Sequence, residues 1–252
     1  MAASGFSGHR LPEMPEEGIY AIEGLRGVDA LGTPVFLNSP HSGEFFPPAF
    51  LERAQLPQQT LRKASDLFVD ELFMPAVVQG VPLMRAMLPR SFVDLNREPF
   101  ELDPRLIAGP LPVDANTRSL RVAGGLGTVP RVIGDQAEIY AGKISLEEVL
   151  HRIEYFYVPY HLRLHRELAA RHGRHGCVVL LDLHSMPSQA SPRATRSLPD
   201  IILGDRFGAS CDPALVDLVE TLAECSRRFG VTSYKLYLMY KGAAGLDRKS
   251  VV

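Results

Sequence analysis

Residues 177–185 read CVVLLDLHS, an unbroken apolar run from Cys177 to Leu181 that ends in Asp182, Leu183 and His184. A strand with one wet face would alternate apolar and polar residues. A continuous run of this length is instead a strand covered on both faces, the habit of parallel sheets flanked by helices. Because side chains alternate along a strand, Asp182 and His184 share one side of it.

A second run of this kind, TPVFLNS (33–39), leads directly into PHSGEFF (40–46). Further strands are expected at VPLMRAML (81–88), SFVDLN (91–96), DIILGD (200–205) and TSYKLYLM (232–239). Segments of helical period separate them. One helix is expected from Ser145, whose hydroxyl caps it while Glu148 completes a Ser-x-x-Glu box; Val149, Ile153, Phe156, Leu164 and Leu168 form its apolar face and Pro159 kinks it. Another is expected to run from Pro213 to about Arg228. Strands alternating with helices indicate an α/β layer fold, read as a single domain over residues 1–252 with a poorly patterned segment at 1–18. The Gly- and Pro-rich stretch between Asp103 and Ile144 is a candidate lid.

The 252 residues carry a net charge of −2, with Lys and Arg scattered along the chain. That distribution argues against a nucleic-acid partner and favours a small ligand. The three cysteines show no paired spacing and fit free thiols in the cytoplasm. No apolar run approaches the roughly 20 residues of a membrane span. Oligomeric state is not readable from these features.

Two segments carry His-x-x-Glu. His151 and Glu154 fall inside the amphipathic helix and are read as its polar face, as are His161 and His165. His41 and Glu44 differ, because a buried strand delivers them to its carboxyl end, where open α/β sheets place their ligand crevices. Gly43 is expected to let the turn bring both side chains to one point. Zinc accepts imidazole nitrogen and carboxylate oxygen at about 2.0–2.2 Å and, in catalytic sites, three protein ligands. His184, at the end of another strand, supplies the third, giving His41, Glu44 and His184, with Asp182 as support. The plainer reading of His184 is a hydrogen-bonded histidine at a sheet edge. Asp66 and Asp70 are read as helix surface or support around the site.

In LPRSFVDLNREPF (88–100), Asn96 and Arg97 are candidates to clamp a substrate carboxylate and Arg90 to polarise a carbonyl oxygen, since a guanidinium forks onto planar oxygens. Ion pairs with Asp94, Glu98 or Asp103 are the competing assignment for these arginines.

Five segments in one order, NSPHSGEFFPPAF (38–50), SDLFVDELF (65–73), SFVDLNREPFELDP (91–104), AGGLGTVPRV (123–132) and LDLHSMPS (181–188), resemble the N-formylglutamate amidohydrolase family over about residues 30 to 242. More distantly, the HSGE, DLNR and LHS segments are similar to elements of zinc carboxypeptidases and aspartoacylase-type deacylases. The resemblance implies a three-layer αβα sandwich with a mixed, largely parallel sheet of the phosphorylase/hydrolase-like, zinc carboxypeptidase-like kind. It implies one zinc ion on His41, Glu44 and His184, with Arg90, Asn96 and Arg97 handling the substrate. The implied reaction converts N-formyl-L-glutamate and water to formate and L-glutamate, a step of histidine degradation. Alternatives are a deacylase of another small acidic N-acyl amino acid, or a metal-binding relative with impaired turnover. The last is prompted by the tail 243–252, where the family's C-terminal strand and its acid/base glutamate have no matching residue.

Overall fold

The computed structural model describes residues 16–24, 31–186, 201–217, 219–220 and 234–239. Six strands form the central sheet: β1 (Tyr20–Glu23), β2 (Val35–Ser39), β3 (Leu83–Ala86), β4 (Val179–His184), β5 (Ile201–Gly204) and β6 (Tyr234–Met239). Their spatial order is β1-β3-β2-β4-β6-β5. β3, β2 and β4 run parallel and side by side, β6 pairs parallel with β5, and β1 and β6 pair antiparallel with β3 and β4. The sheet is therefore mixed, as expected.

Both faces of the central strands are covered, which explains their continuous apolar runs. On one face, Phe36, Met84 and Leu180 join the main core with Tyr160 and Leu164 of a long helix, while on the other Leu37, Leu83 and Leu183 pack with Val69, Phe73, Ala76 and Val77. Each fully buried Leu or Phe contributes about 1.5–3 kcal/mol relative to exposure.

Four helices matter here. α1 (Pro48–Arg53) opens on Pro48, whose missing N–H is no loss in a first turn, and α2 (Gln58–Arg62) leads into residues 63–66. α3 (Leu146–Arg152) is capped by Ser145, whose Oγ accepts the Glu148 N–H at 3.1 Å. It continues through a π turn (Ile153–Tyr157) into α4 (Val158–His175), with Pro159 in the first turn. Lacking an N–H, Pro159 cannot close the ordinary i to i−4 bond, and the widened turn absorbs the defect that was expected as a kink. The helix expected from Pro213 is present at 213–217 and 219–220; its remainder, like the segment 1–15 and the tail from 240, lies outside the described residues.

Two expectations need correction. SFVDLN is not a strand: Phe92 N–H bonds the Pro89 carbonyl at 2.9 Å in a turn, and Phe92, Val93 and Leu95 are all buried without alternation. Its apolar residues fill a core loop. The stretch 103–144 is not a loose lid either, because Leu106, Ile107, Val122, Val129, Ile139 and Tyr140 are buried and Asp103 is held by Arg105 and Arg131. It forms a wall of the molecule.

Candidate metal centre and active site

The carboxyl ends of the three adjacent parallel strands gather the polar side chains. His41 follows β2, Arg90 follows β3, and His184 ends β4. His41 and His184 are both buried, with ring centroids 4.8 Å apart and Nδ1 atoms facing each other across 3.1 Å. Asp66 joins them, its Oδ2 lying 2.8 Å from His184 Nδ1 and 3.4 Å from His41 Nδ1. The residue arrives from the end of α2, where its N–H bonds the His41 carbonyl at 2.9 Å.

The outer nitrogen of each ring is also engaged. His41 Nε2 bonds Asp94 Oδ1 at 2.8 Å, and His184 Nε2 lies 3.0 Å from Asp182 Oδ2 and 3.0 Å from the Asn96 amide. Asp182 in turn accepts from Asn38 Nδ2 at 2.7 Å, and Asn38 Oδ1 accepts from Tyr160 OH at 2.6 Å. Asp94 is fixed by Arg90 Nε at 2.9 Å, Arg97 Nη2 at 3.3 Å and the Asn96 N–H at 2.9 Å.

These partners decide the electrostatics. Burial alone would raise the Asp94 and Asp66 carboxyls; His41, Arg90 and Arg97 overturn it for Asp94, and His184 and His41 for Asp66, so both are held well below 3.8. Burial likewise opposes a charge on His184, but Asp182 and Asp66 hold it up to about 9. With both outer nitrogens donating to carboxylates, two imidazole lone pairs and a carboxylate oxygen converge on one point, an arrangement that requires either a shared proton or a cation. Ligand atoms around one tetrahedral zinc lie about 3.4 Å apart for bonds near 2.05 Å, close to the spacings seen among the three. The donor set fits a divalent ion, and His41, Asp66 and His184 form a buried group able to hold one.

Glu44 is not in this group. After the turn at Pro40 and His41 the chain enters neither helix nor strand until α1, and Gly43 lies so close to the next strand's exit that an added Cβ would meet the Leu88 carbonyl at 2.1 Å. Gly43 thus permits a close backbone approach, and Glu44 beside it is exposed. Its carboxylate is 46% exposed and paired with Arg62. Arg97 offers no free fork: Nε donates to the Leu126 carbonyl at 3.1 Å, Nη1 to the Asn96 carbonyl at 2.5 Å, and Nη2 faces Asp94. Asp66 was the residue that sequence reasoning set aside. Its only signal is a polar pair, Ser65 and Asp66, closing a short helix before an apolar run, and nothing local to it announces a partner 25 positions upstream.

Beside the group lies a cavity of about 480 Å³, lined by Asp66, Ser185 and Arg90 on one side and by Leu126, Val132 and Ile133 of the 103–144 wall on the other. Only Nε of Arg90 is spent on Asp94, so the rest of its guanidinium is available to the cavity.

Residues 33–239 match the N-formylglutamate amidohydrolase family model. The chain belongs to the N-formylglutamate amidohydrolase family. The crystal structure of N-formylglutamate amidohydrolase from Ralstonia eutropha JMP134 is similar, with a TM-score of 0.75, 30% identity, and coverage of 88% of this chain and 86% of that one. The N-formylglutamate deformylases of Pseudomonas aeruginosa and Pseudomonas putida are each 28% identical over 211 residues, covering 83% of this chain and 72% of theirs. The fold is thus α/β with a mixed sheet, and the chain is a hydrolase acting on an amide. No helix among the described residues is long and apolar enough to cross a membrane.

Proposed function

We propose that this amidohydrolase cleaves N-formyl-L-glutamate to formate and L-glutamate with one zinc ion held between His41 and His184. The observation that carries the reading is the convergence of two imidazole nitrogens and a buried carboxylate oxygen beside a cavity with a basic wall, in a chain of this family. When bound, such an ion supplies Lewis acidity and activates water near neutral pH. Asp94 and Asp182 orient the two rings so that Nδ1 of each is presented inward. Arg90 offers its free guanidinium nitrogens to the amide oxygen, where negative charge develops during attack. Asn96 meets the substrate beside His184, while Arg97, committed to the Leu126 and Asn96 carbonyls and to Asp94, steadies that wall from behind.

Two carboxylates compete for the third ligand position. Asp66 is already within the group, whereas Glu44 must leave Arg62 to reach the ion. Geometry favours Asp66. The reading takes the chain as one zinc carboxypeptidase-like domain working in the cytoplasm, in keeping with the free thiols of Cys177 and Cys211. Formate release from N-formyl-L-glutamate, measured together with zinc per chain, tests the proposal. Activity and about one zinc are expected for the wild-type protein, with zinc lost in His184→Ala and in Asp66→Asn but kept in Glu44→Gln. Folded protein that takes up no zinc and releases no formate would sink it, and zinc lost only in Glu44→Gln would transfer the ligand role to Glu44.

A further inference from the structure

The wall of the cavity is unequal in charge. Its ionisable side chains are Lys63, Arg90 and Asp66. Asp66 is committed to His41 and His184, and Arg90 is balanced by Asp94. Lys63 has no ion pair or hydrogen bond from its ammonium among the described residues, and it stands exposed at the rim. Two hydroxyls of the same lining, Ser65 and Ser91, have buried oxygens without a hydrogen-bond partner, and Ser91 as a whole is only 1% exposed. These hydroxyl oxygens are covered, so the ammonium of Lys63 is the exposed cationic group that the lining leaves unbalanced.

The segment Lys63-Ala64-Ser65-Asp66 sets a distance. Three residues of chain separate the ammonium's residue from the carboxylate at the metal group, at most about 11 Å when extended. In an N-acyl glutamate the reacting carbonyl carbon and the distal carboxylate are five bonds apart, about 6 Å in extended form. That span lies within the limit, and Lys63 and Asp66 line one cavity, so a substrate with its amide at the His41, Asp66 and His184 group can direct its side-chain carboxylate toward Lys63.

We infer that Lys63 is the specificity-determining counter-charge for the side-chain carboxylate of the substrate. The assignment rests on the amide-hydrolase reading of the neighbouring site. Lys63 makes the enzyme distinguish an acidic N-acyl amino acid from its neutral amide, and it takes no part in bond breaking.

The test compares wild type with Lys63→Met on N-formyl-L-glutamate and N-formyl-L-glutamine, with zinc content and melting temperature as controls. A charge-assisted hydrogen bond is commonly worth a factor of about 10–100 in affinity. KM for formylglutamate should rise by about that factor in Lys63→Met with kcat within about threefold, while formylglutamine kinetics stay unchanged. Calorimetry with L-glutamate and L-glutamine supplies a readout independent of turnover: wild type should prefer L-glutamate and Lys63→Met should not. If Lys63 is an ordinary solvated lysine, neither KM nor product binding will move, and the inference is overturned. Equal losses on both substrates overturn it as well. Should wild type hydrolyse neither formyl amide, the functional reading fails while calorimetry still decides Lys63, with equal binding of the two amino acids, or none, counting against it.

Discussion

Two buried clusters of charge both touch residues 89–97, and they are built on opposite plans. Around Arg152, which is 0% exposed, the guanidinium bonds the Phe92 carbonyl at 3.0 Å and Tyr140 OH at 2.6 Å, pairs with Glu148, and lies 4.4 Å over the Phe92 ring. A cation meets an anion, a dipole and an aromatic face, so its charge is answered inside the protein even though Nε has no hydrogen-bond partner among the described residues. Around His41, Asp66 and His184 two imidazole nitrogens and a carboxylate oxygen face one another, and they are held together by a shared proton or, in its place, a cation. A buried charge that is fully paired holds structure together; one presenting only lone pairs is a socket.

The sharpest way to break the contrast is to remove the cation from the closed cluster. Arg152→Ala should cost about 3–5 kcal/mol in urea denaturation, because Glu148 and Tyr140 lose their partner, while zinc uptake by the folded fraction stays at the wild-type level. A loss below about 1 kcal/mol would show that the cluster is ornamental. Next in size is the support of the open cluster: Asp182→Asn should weaken zinc binding about 10–100-fold by calorimetry while changing the metal-free stability far less. Equal damage to both would mean that Asp182 serves the fold.

The smallest effect concerns His161, whose Nε2 bonds the Leu95 carbonyl at 2.9 Å and whose ring lies 4.2 Å from that of Tyr157. Burial lowers it from 6.5 to about 4, the reverse of His184, because no carboxylate bonds it. The unfolded chain takes up a proton near 6.5 and the folded chain only near 4, so between those values the unfolded state holds more protons and stability falls as the pH is lowered. The slope from this group is at most about 1.4 kcal/mol per pH unit. Denaturation midpoints from pH 7 to 4 should show that component in wild type and lack it in His161→Gln; identical slopes would remove His161 from the balance.

Much of this architecture was legible from the chain alone. The runs at 33–39, 81–88 and 177–185 announced strands because burial on both faces leaves an uninterrupted apolar signature, and Ser145 announced a helix because its cap is local. SFVDLN misled for the same reason: a core loop buries its apolar residues as thoroughly as a strand does. His41 and His184 were visible because each sits where an apolar run stops. Asp66 was not, since its role depends on a contact between chain segments that no spacing rule connects, and Glu44 was placed inward by expecting Gly43 to fold both side chains to one point, when that glycine instead lets the backbone pass against residues 87–88. Arg152 looks like an ordinary basic residue at a helix end, and only the three-dimensional packing of Phe92 and Tyr140 against it reveals an interior cation.

The two imidazoles that face each other across the socket are 143 positions apart in the chain. Bringing such distant points together carries a large loop-closure entropy, met only after β2 and β4 have aligned. On the proposed zinc reading, metal capture therefore comes late in the life of each newly made molecule, and a colorimetric chelator competing for the ion would time the moment at which the polypeptide finishes folding.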